Sequence, residues 1–382
     1  MKITVISAAY PLRGGIAQHT GIMTQKLLQR KHEVEVITFK RQYPKLLFPG
    51  KTQLDCSGDA SVKIDTRPLL DSIGPLSWYR AFKLIRKAQP HLLLINYWMP
   101  FFALCFGSIA WLVKRRAPTR IVYLCHNIIP HERRIGDVVL TKFAFREADG
   151  FIVQSEVVKS QLLSLCPNAR YRLVPHPVYE IFGQAMDKVT AKKQLDLPDE
   201  KVILFFGYVR AYKGLDLLLR AMPGILKKVK LKLLVVGEFY EDQEKYRSLI
   251  AEYGLVNHVR IHAEFVANRQ VSVYFSAADV VVLPYKSATQ SGIVQIAYHL
   301  NKPCIVTDVG GLAEVVVHEK TGLVVEPENP TKLAQAVVQF YKQAREQEFV
   351  QNVQREKKKY SWQCMIQAIE EFGETKMEQQ DD

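Results

Sequence analysis

From its first residues the chain alternates short apolar runs with amphipathic stretches, and it does so in two successive rounds. In the first, strands are expected at 2–7, 33–39, 61–65, 92–96, 120–125, 150–153 and 171–174. Helical periodicity fills 16–30, 77–88, 101–114, 138–147 and 156–163. The second round predicts strands at 202–207, 231–236, 258–262, 280–283, 303–307 and 323–325. Its helices are expected at 214–228, 241–253, 270–276, 292–300, 312–317 and 330–343. Continuous apolar strands, each followed by a helix, belong to parallel sheets covered on both faces. The reading is therefore α/β: two doubly wound parallel-sheet domains facing across a cleft. Residues 176–200 break the rhythm and read as the linker, and a last amphipathic helix at 361–373 is expected to fold back over the first domain.

Composition narrows the classes. An apolar content of 48% over 382 residues excludes a disordered chain. The six cysteines form no C-x-x-C pair and no Cys/His cluster at zinc spacing, so they read as idle thiols in a reducing compartment. The opening MKITVISAAY reads as a first strand rather than a signal peptide. Residues 92–113 are uncharged and long enough to span a bilayer, but Asn96 and Pro100 divide them into a buried strand, a loop and a core helix. The net charge of +14 is one-sided: residues 1–180 hold 26 Lys/Arg against 12 Asp/Glu, residues 181–382 hold 26 against 26. Such asymmetry points to an acidic partner for the first half, either anionic lipid or a phosphorylated acceptor. The cations are interspersed along helices without a nucleic-acid-binding signature, so no nucleic-acid partner is expected. Phe39–Lys51, which interleaves cations with Leu46, Leu47 and Phe48, reads as a loop for a membrane surface.

In open parallel sheets ligands bind beyond the carboxyl ends of the strands, which singles out five loops. After strand one, Gly14 and Gly15 let backbone approach a ligand and open a helix. The G-x-G-x-x-G fingerprint and the acid ending the second strand are missing, which argues against a nicotinamide enzyme. Cys125-His126-Asn127, with Pro130-His131-Glu132 beyond it, places His126 at a strand end, as a site residue or a satisfied structural histidine. Phe206–Gly214 carries Arg210 and Lys213 three apart at an expected helix start, where both charges converge on one diphosphate. Thr289–Gln295 opens a further helix with Ser291, Gly292 and Ile293, a second anion position. Asp308–Glu314 repeats the strand–glycine–helix pattern.

The set G-x-x-R-x-x-K-G, Val236-Gly237, Ala278-Asp279-Val280, K-P-C-I-V-T-D-V-G-G-L-A-E and Thr321-Gly322-Leu323 resembles glycosyltransferase family 4 over almost the whole second half. The first half agrees more loosely, through its Gly-Gly loop, Cys125-His126-Asn127 and Gln154-Ser155, and Ser361-Trp362 looks like the start of the family's crossover helix. The resemblance implies a GT-B fold of two Rossmann-like domains: an acceptor domain at 1–178, a nucleotide-sugar domain at 179–357, and a crossover helix and tail at 358–382 packing on the first domain. It implies a retaining transferase without a metal, and the sequence has no Asp-x-Asp to hold a cation on a diphosphate. Arg210, Lys213, Ser291, Gly292 and Ile293 would hold the donor, and His126, Gly14 and Gly15 would complete the site. The implied partners are a nucleotide-sugar donor and an anionic or lipid-linked acceptor, with the protein in the cytoplasm at the inner face of a membrane; no cofactor is implied. One departure stands out. The family's two glutamates, eight apart, fall on Thr289 or Ala288 and on Ala297 or Ile296. Either Gln295 holds the ribose or donor binding is weakened. The rival readings are a non-catalytic nucleotide-sugar binder and a same-fold epimerase, and Gln295 is either a donor ligand or an exposed helix glutamine.

Overall fold

A computed structural model describes residues 1–44, 52–55, 63–130 and 134–374. The chain forms two compact units, Met1–Pro175 with Ser361–Asp382, and His176–Tyr360. The N-terminal unit is built on a seven-stranded sheet of order β3-β2-β1-β4-β5-β6-β7 and the C-terminal unit on a six-stranded sheet of order β10-β9-β8-β11-β12-β13. Every strand pairing is parallel. These are two Rossmann-like domains.

In the N-terminal unit the strands are β1 (Lys2–Ile6), β2 (Glu33–Arg41), β3 (Thr66–Asp71), β4 (Leu92–Tyr97), β5 (Arg120–Cys125), β6 (Gly150–Val153) and β7 (Tyr171–Leu173). Their crossovers are α1 (Gly15–Gln29), α2 (Pro75–Ala88), α3 (Ala103–Arg116), α4 (Asp137–Phe145) and α5 (Glu156–Leu165). α2 packs on α3 and α3 on α4, forming one helical layer. The uncharged stretch 92–113 divides as expected, into buried β4, a 3₁₀ turn at Pro100–Phe102 and most of α3. Among the described residues no helix is long and apolar enough to cross a membrane.

The C-terminal unit contains β8 (Lys201–Phe206), β9 (Leu231–Val236), β10 (Val259–His262), β11 (Val280–Leu283), β12 (Cys304–Thr307) and β13 (Gly322–Val325). Between and around them run α6 (Lys188–Gln194), α7 (Leu215–Leu226), α8 (Gln243–Glu252), α9 (Asn268–Ala277), α10 (Gly292–His299), α11 (Leu312–Val315), α12 (Pro330–Lys342) and α13 (Glu346–Glu356). Its core joins β8, β9 and β11 with Leu218, Met222, Val337 and Phe340 from the packed pair α7 and α12.

Four expectations are corrected. The strand placed at 61–65 is β3, five residues later, and of its six residues only Leu70 is buried. The stretch 176–200 is not a bare linker: it belongs to the C-terminal unit and contains α6, whose first turn is capped by Asp187 accepting from the Thr190 N–H at 2.9 Å. α13 was not expected; it buries Phe349 and Val353, one turn apart. Of the Phe39–Lys51 segment, Phe39 is buried against Trp98, Phe102 and Phe106, and Arg41 ends β2 in an ion pair with Asp71. Lys45–Lys51 lie outside the described residues, as do His131 and Glu132.

The last helix, α14 (Trp362–Glu374), returns to the N-terminal unit and packs on α1, β5 and β6. Phe372 fills the space in front of Gly150, where any Cβ would overlap its ring. Glu370 accepts from Arg30 Nη2 at 2.7 Å and pairs with His32 at 2.8 Å. These contacts predict that Phe372→Ala destabilises the N-terminal unit by about 3–5 kcal/mol. Urea unfolding followed by tryptophan fluorescence measures this, and Gly150→Ala is expected to be destabilising by the same route.

Candidate functional site

The order of each sheet reverses once, and at a reversal the crossovers depart to opposite faces and leave the strand ends open. In the C-terminal unit the reversal lies between β8 and β11, in the N-terminal unit between β1 and β4. The sequence-predicted loops lie at these edges.

In the C-terminal unit β8 runs into Gly207 at φ 105°, then into a 3₁₀ turn at Ala211–Lys213 and Gly214 at φ 69° before α7 begins. Arg210 precedes the 3₁₀ turn and Lys213 closes it, two residues before α7 begins at Leu215. The turn sends Lys213 inward. Its side chain is 8% exposed, with Nζ 3.0 Å from where a Cβ on Gly207 would sit and 5.6 Å from the centre of the Tyr285 ring. Burial, reinforced by the neighbouring Arg210 charge, pushes the ammonium down to about 7. Among the described residues no carboxylate forms an ion pair with Lys213. Arg210 is half-exposed, its guanidinium 4.9 Å from the centre of the Tyr240 ring. Two cations thus stand at one strand end beside aromatic rings, and among the described residues neither forms an ion pair with an acid.

The helix after β11 approaches the same point. α10 begins at Gly292, and Ser291 makes no side-chain hydrogen bond to its first turn, so those N–H groups are not capped by it. Ile293 contacts Gly207, its Cδ1 lying 3.2 Å from where a Cβ would be, and so joins the start of α10 to the Lys213 pocket. Gly292 accommodates the Tyr179 ring, which a Cβ would approach to 3.2 Å. Gly310 and Gly311 serve the loop itself: a Cβ on Gly310 would overlap the Ala288 carbonyl, and the Gly311 N–H donates to Thr289 O at 3.0 Å. Gln295 is 1% exposed, which removes the reading of an exposed helix glutamine, and its Oε1 is buried with no hydrogen-bond donor among the described residues. Glu238, a buried carboxylate directly after the Val236-Gly237 pair, carries no local pattern in the sequence; its main-chain oxygen accepts from the Val209 N–H at 2.9 Å.

In the N-terminal unit Gly14 stands at φ 111° as the N-cap of α1 without a side-chain cap, and a Cβ there would meet no described atom within 4 Å. His126 follows β5, buried, its N–H donating to Tyr97 O at 2.8 Å. Its ring meets His19 edge-on at 4.7 Å, and His19 lies one turn along the helix that Gly15 opens. His19 also lies 3.3 Å from Gln154 Nε2 and 4.8 Å from the Trp362 ring. Beneath them Asn96 Nδ2 donates to Ser7 Oγ at 2.9 Å and Thr20 Oγ1 at 3.0 Å. His19, Asn96, Ser7 and Thr20 were not singled out from the sequence, where they carry no local pattern.

The profile of glycosyl transferases group 1 matches residues 200–343, and that of Glycosyltransferase Family 4 matches residues 13–179. An uncharacterised glycosyltransferase of Methanocaldococcus jannaschii is 32% identical over 387 aligned positions, covering 95% of this chain and 95% of its own. The chain belongs to glycosyltransferase family 4. Among solved structures, a sucrose-phosphate synthase from Thermosynechococcus elongatus superposes with a TM-score of 0.78 at 22% identity, over 97% of this chain and 98% of its own. Anabaena HepE in complex with UDP and glucose gives 0.76 at 17%, over 97% and 98%. The fold is thus that of the GT-B glycosyltransferases. Of the positions proposed for the two family glutamates, Thr289, Ala297 and Ile296 are buried and Ala288 is half-buried.

The state of Lys213 has a measurable consequence. A diphosphate bound beside it would stabilise the ammonium and raise its pKa, so above about pH 7 that binding would take up a proton. Affinity for a nucleoside diphosphate is expected to fall as pH rises from neutrality, by up to about tenfold per pH unit. Calorimetric titrations in buffers of different ionisation enthalpy measure the proton uptake, and Lys213→Ala is expected to abolish it.

Proposed function

We propose that this glycosyltransferase moves a sugar from a nucleoside diphosphate sugar to a hydroxyl acceptor with retention of anomeric configuration and without a metal. The observation that carries the reading is Lys213, a buried ammonium without a carboxylate partner among the described residues, with Arg210 as its charged neighbour and Ile293 at the start of α10 reaching the same glycine. The loss of the sugar–phosphate bond leaves negative charge on the departing diphosphate, and these two cations with the helix N–H groups supply the compensation. Ser291, Gly292 and Ile293 present the backbone, and the free Gln295 Oε1 accepts from a ribose hydroxyl. The acceptor oxygen bonds to the anomeric carbon on the face from which the phosphate oxygen leaves, and the acceptor proton passes to that departing oxygen. No protein nucleophile is required. The acceptor belongs to the N-terminal unit, where Gly14, Gly15 and His126 lie at the carboxyl edge of the sheet, with His126 orienting the sugar. A lipid-linked or polysaccharide precursor, met at the inner face of a membrane, suits the one-sided charge of that unit.

The loss of the family glutamates favours a second reading, a nucleotide-sugar binder that does not catalyse. Incubation with a panel of nucleotide sugars, following nucleotide release with and without acceptors, separates the two; an epimerase would convert donor without release. Arg210→Ala and Lys213→Ala are each expected to lower kcat/KM by an amount equivalent to about 2–4 kcal/mol, with folding intact. Turnover is expected to persist in excess EDTA, and Gln295→Ala is expected to raise the donor KM.

A further inference from the structure

We infer that the outer face of the α2–α3–α4 layer is the surface by which the N-terminal unit sits on an anionic membrane. Because each helix returns between parallel strands, all three start at the carboxyl edge of the sheet. Their starts carry large apolar side chains facing outward: Leu76 and Tyr79 on α2, Leu104 on α3, Val138 and Val139 on α4. Leu76 is 76% exposed and Val139 71%, on the two outer helices of the layer, with half-exposed Leu104 on the helix between them, which is unlike apolar residues scattered singly over a surface.

Cations follow along the same helices. Arg80, Lys83, Arg86, Lys87, Arg116 and Lys142 are exposed and form no ion pair among the described residues. Helix α2 contains no acidic residue at all. Between it and the edge strand β3 lies a groove of about 560 Å³ into which Arg67, Arg80, Lys83 and Lys87 project, room for a phosphate headgroup. Among the described residues, Arg67 is the one of these four in an ion pair, with Glu35, and Lys83 Nζ lies 4.9 Å from the centre of the Tyr79 ring. Positive charge at helix ends also complements the helix dipole, but Arg80 and Lys83 lie in the middle of α2 and gain little from it.

An apolar edge beside unpaired cations matches the interface of a bilayer, where side chains enter the acyl boundary while cations remain at the phosphates. A second copy of this chain fits the surface poorly, since a two-fold contact would set this positive face against itself. The expected loop at Phe39–Lys51 is not needed for attachment. The inference rests on the membrane-side part of the proposed function and adds a consequence: the apolar edge is the edge that carries the Gly14–Gly15 loop and His126. A lipid-linked acceptor would meet those loops without leaving the bilayer.

The test is sedimentation of the full chain with vesicles, without donor, so that its failure leaves sugar transfer untouched. With about one third phosphatidylglycerol in phosphatidylcholine at low salt the protein is expected to pellet, and to remain in solution with phosphatidylcholine alone or at raised salt. Each cation removed is worth about fivefold in partitioning, so R80E/K83E/K87E is expected to weaken binding by at least about a hundredfold. Leu76→Ser with Val139→Ser is expected to weaken it at every salt concentration, whereas Lys227→Glu with Lys228→Glu, exposed on the C-terminal unit, leaves it unchanged. The inference is overturned if anionic vesicles bring down no protein, or if the control pair loses as much as the triple variant. It is also overturned if sedimentation velocity without lipid shows a dimer that the triple variant dissolves, which would assign the face to a second copy.

Discussion

Because β8 and β11 are neighbours whose crossovers leave to opposite faces, no helix covers the gap between their carboxyl ends. Several features of the C-terminal unit follow from that gap. The chain must turn there without side-chain bulk, hence Gly207 and Gly237 at positive φ with the backbone of one against the other. The 3₁₀ turn that follows draws Lys213 inward to Gly207, and Ile293 brings the start of α10 to the same point. An ammonium is costly to remove from water unless something negative accompanies it. Here its charged neighbour is Arg210, another cation. The fold leaves that charge uncompensated at the place where a parallel sheet receives its ligands.

The N-terminal unit answers the same topology with different chemistry. Its reversal is lined by neutral polar groups, Ser7, Thr20 and Asn96 hydrogen-bonded to one another, with His19 and His126 ring against ring beside them. Such a lining suits hydroxyl groups rather than phosphates. Many of this unit's cations lie on the outside of its helices. One sheet architecture thus carries a pair of cations at the reversal of one unit and a hydrogen-bonded neutral polar cluster at that of the other.

Much of this was legible in the sequence because buried parallel strands are continuous apolar runs bounded by turn residues. Twelve of the thirteen strands lie where such runs predict them. The exception is β3, an edge strand with Pro68 inside it and only Leu70 buried, where a half-exposed strand has no need to be apolar. α13 escaped for a similar reason: Phe349 and Val353 are its only buried apolar residues, too few to mark a period. Arg210 and Lys213 were visible as a spaced pair, but the burial of Lys213 depends on a 3₁₀ turn and a facing glycine that no local pattern encodes. Gln295 could be placed on its helix but not turned inward from sequence alone. Asn96 meets Ser7 and Thr20, and His19 meets His126, only because distant strands pair in the sheet, which a linear reading does not see.

The return of α14 to the N-terminal unit sets an order of events during synthesis. Trp362 and Phe372 complete packing against α1, β5 and β6, yet the ribosome makes them after every strand of the other sheet. The space in front of Gly150 must therefore stand empty while some two hundred residues emerge, a stretch of roughly ten to forty seconds at ordinary elongation rates. The unit that is begun first is finished last, and its nascent form exposes an apolar seam that only its own distant helix can close.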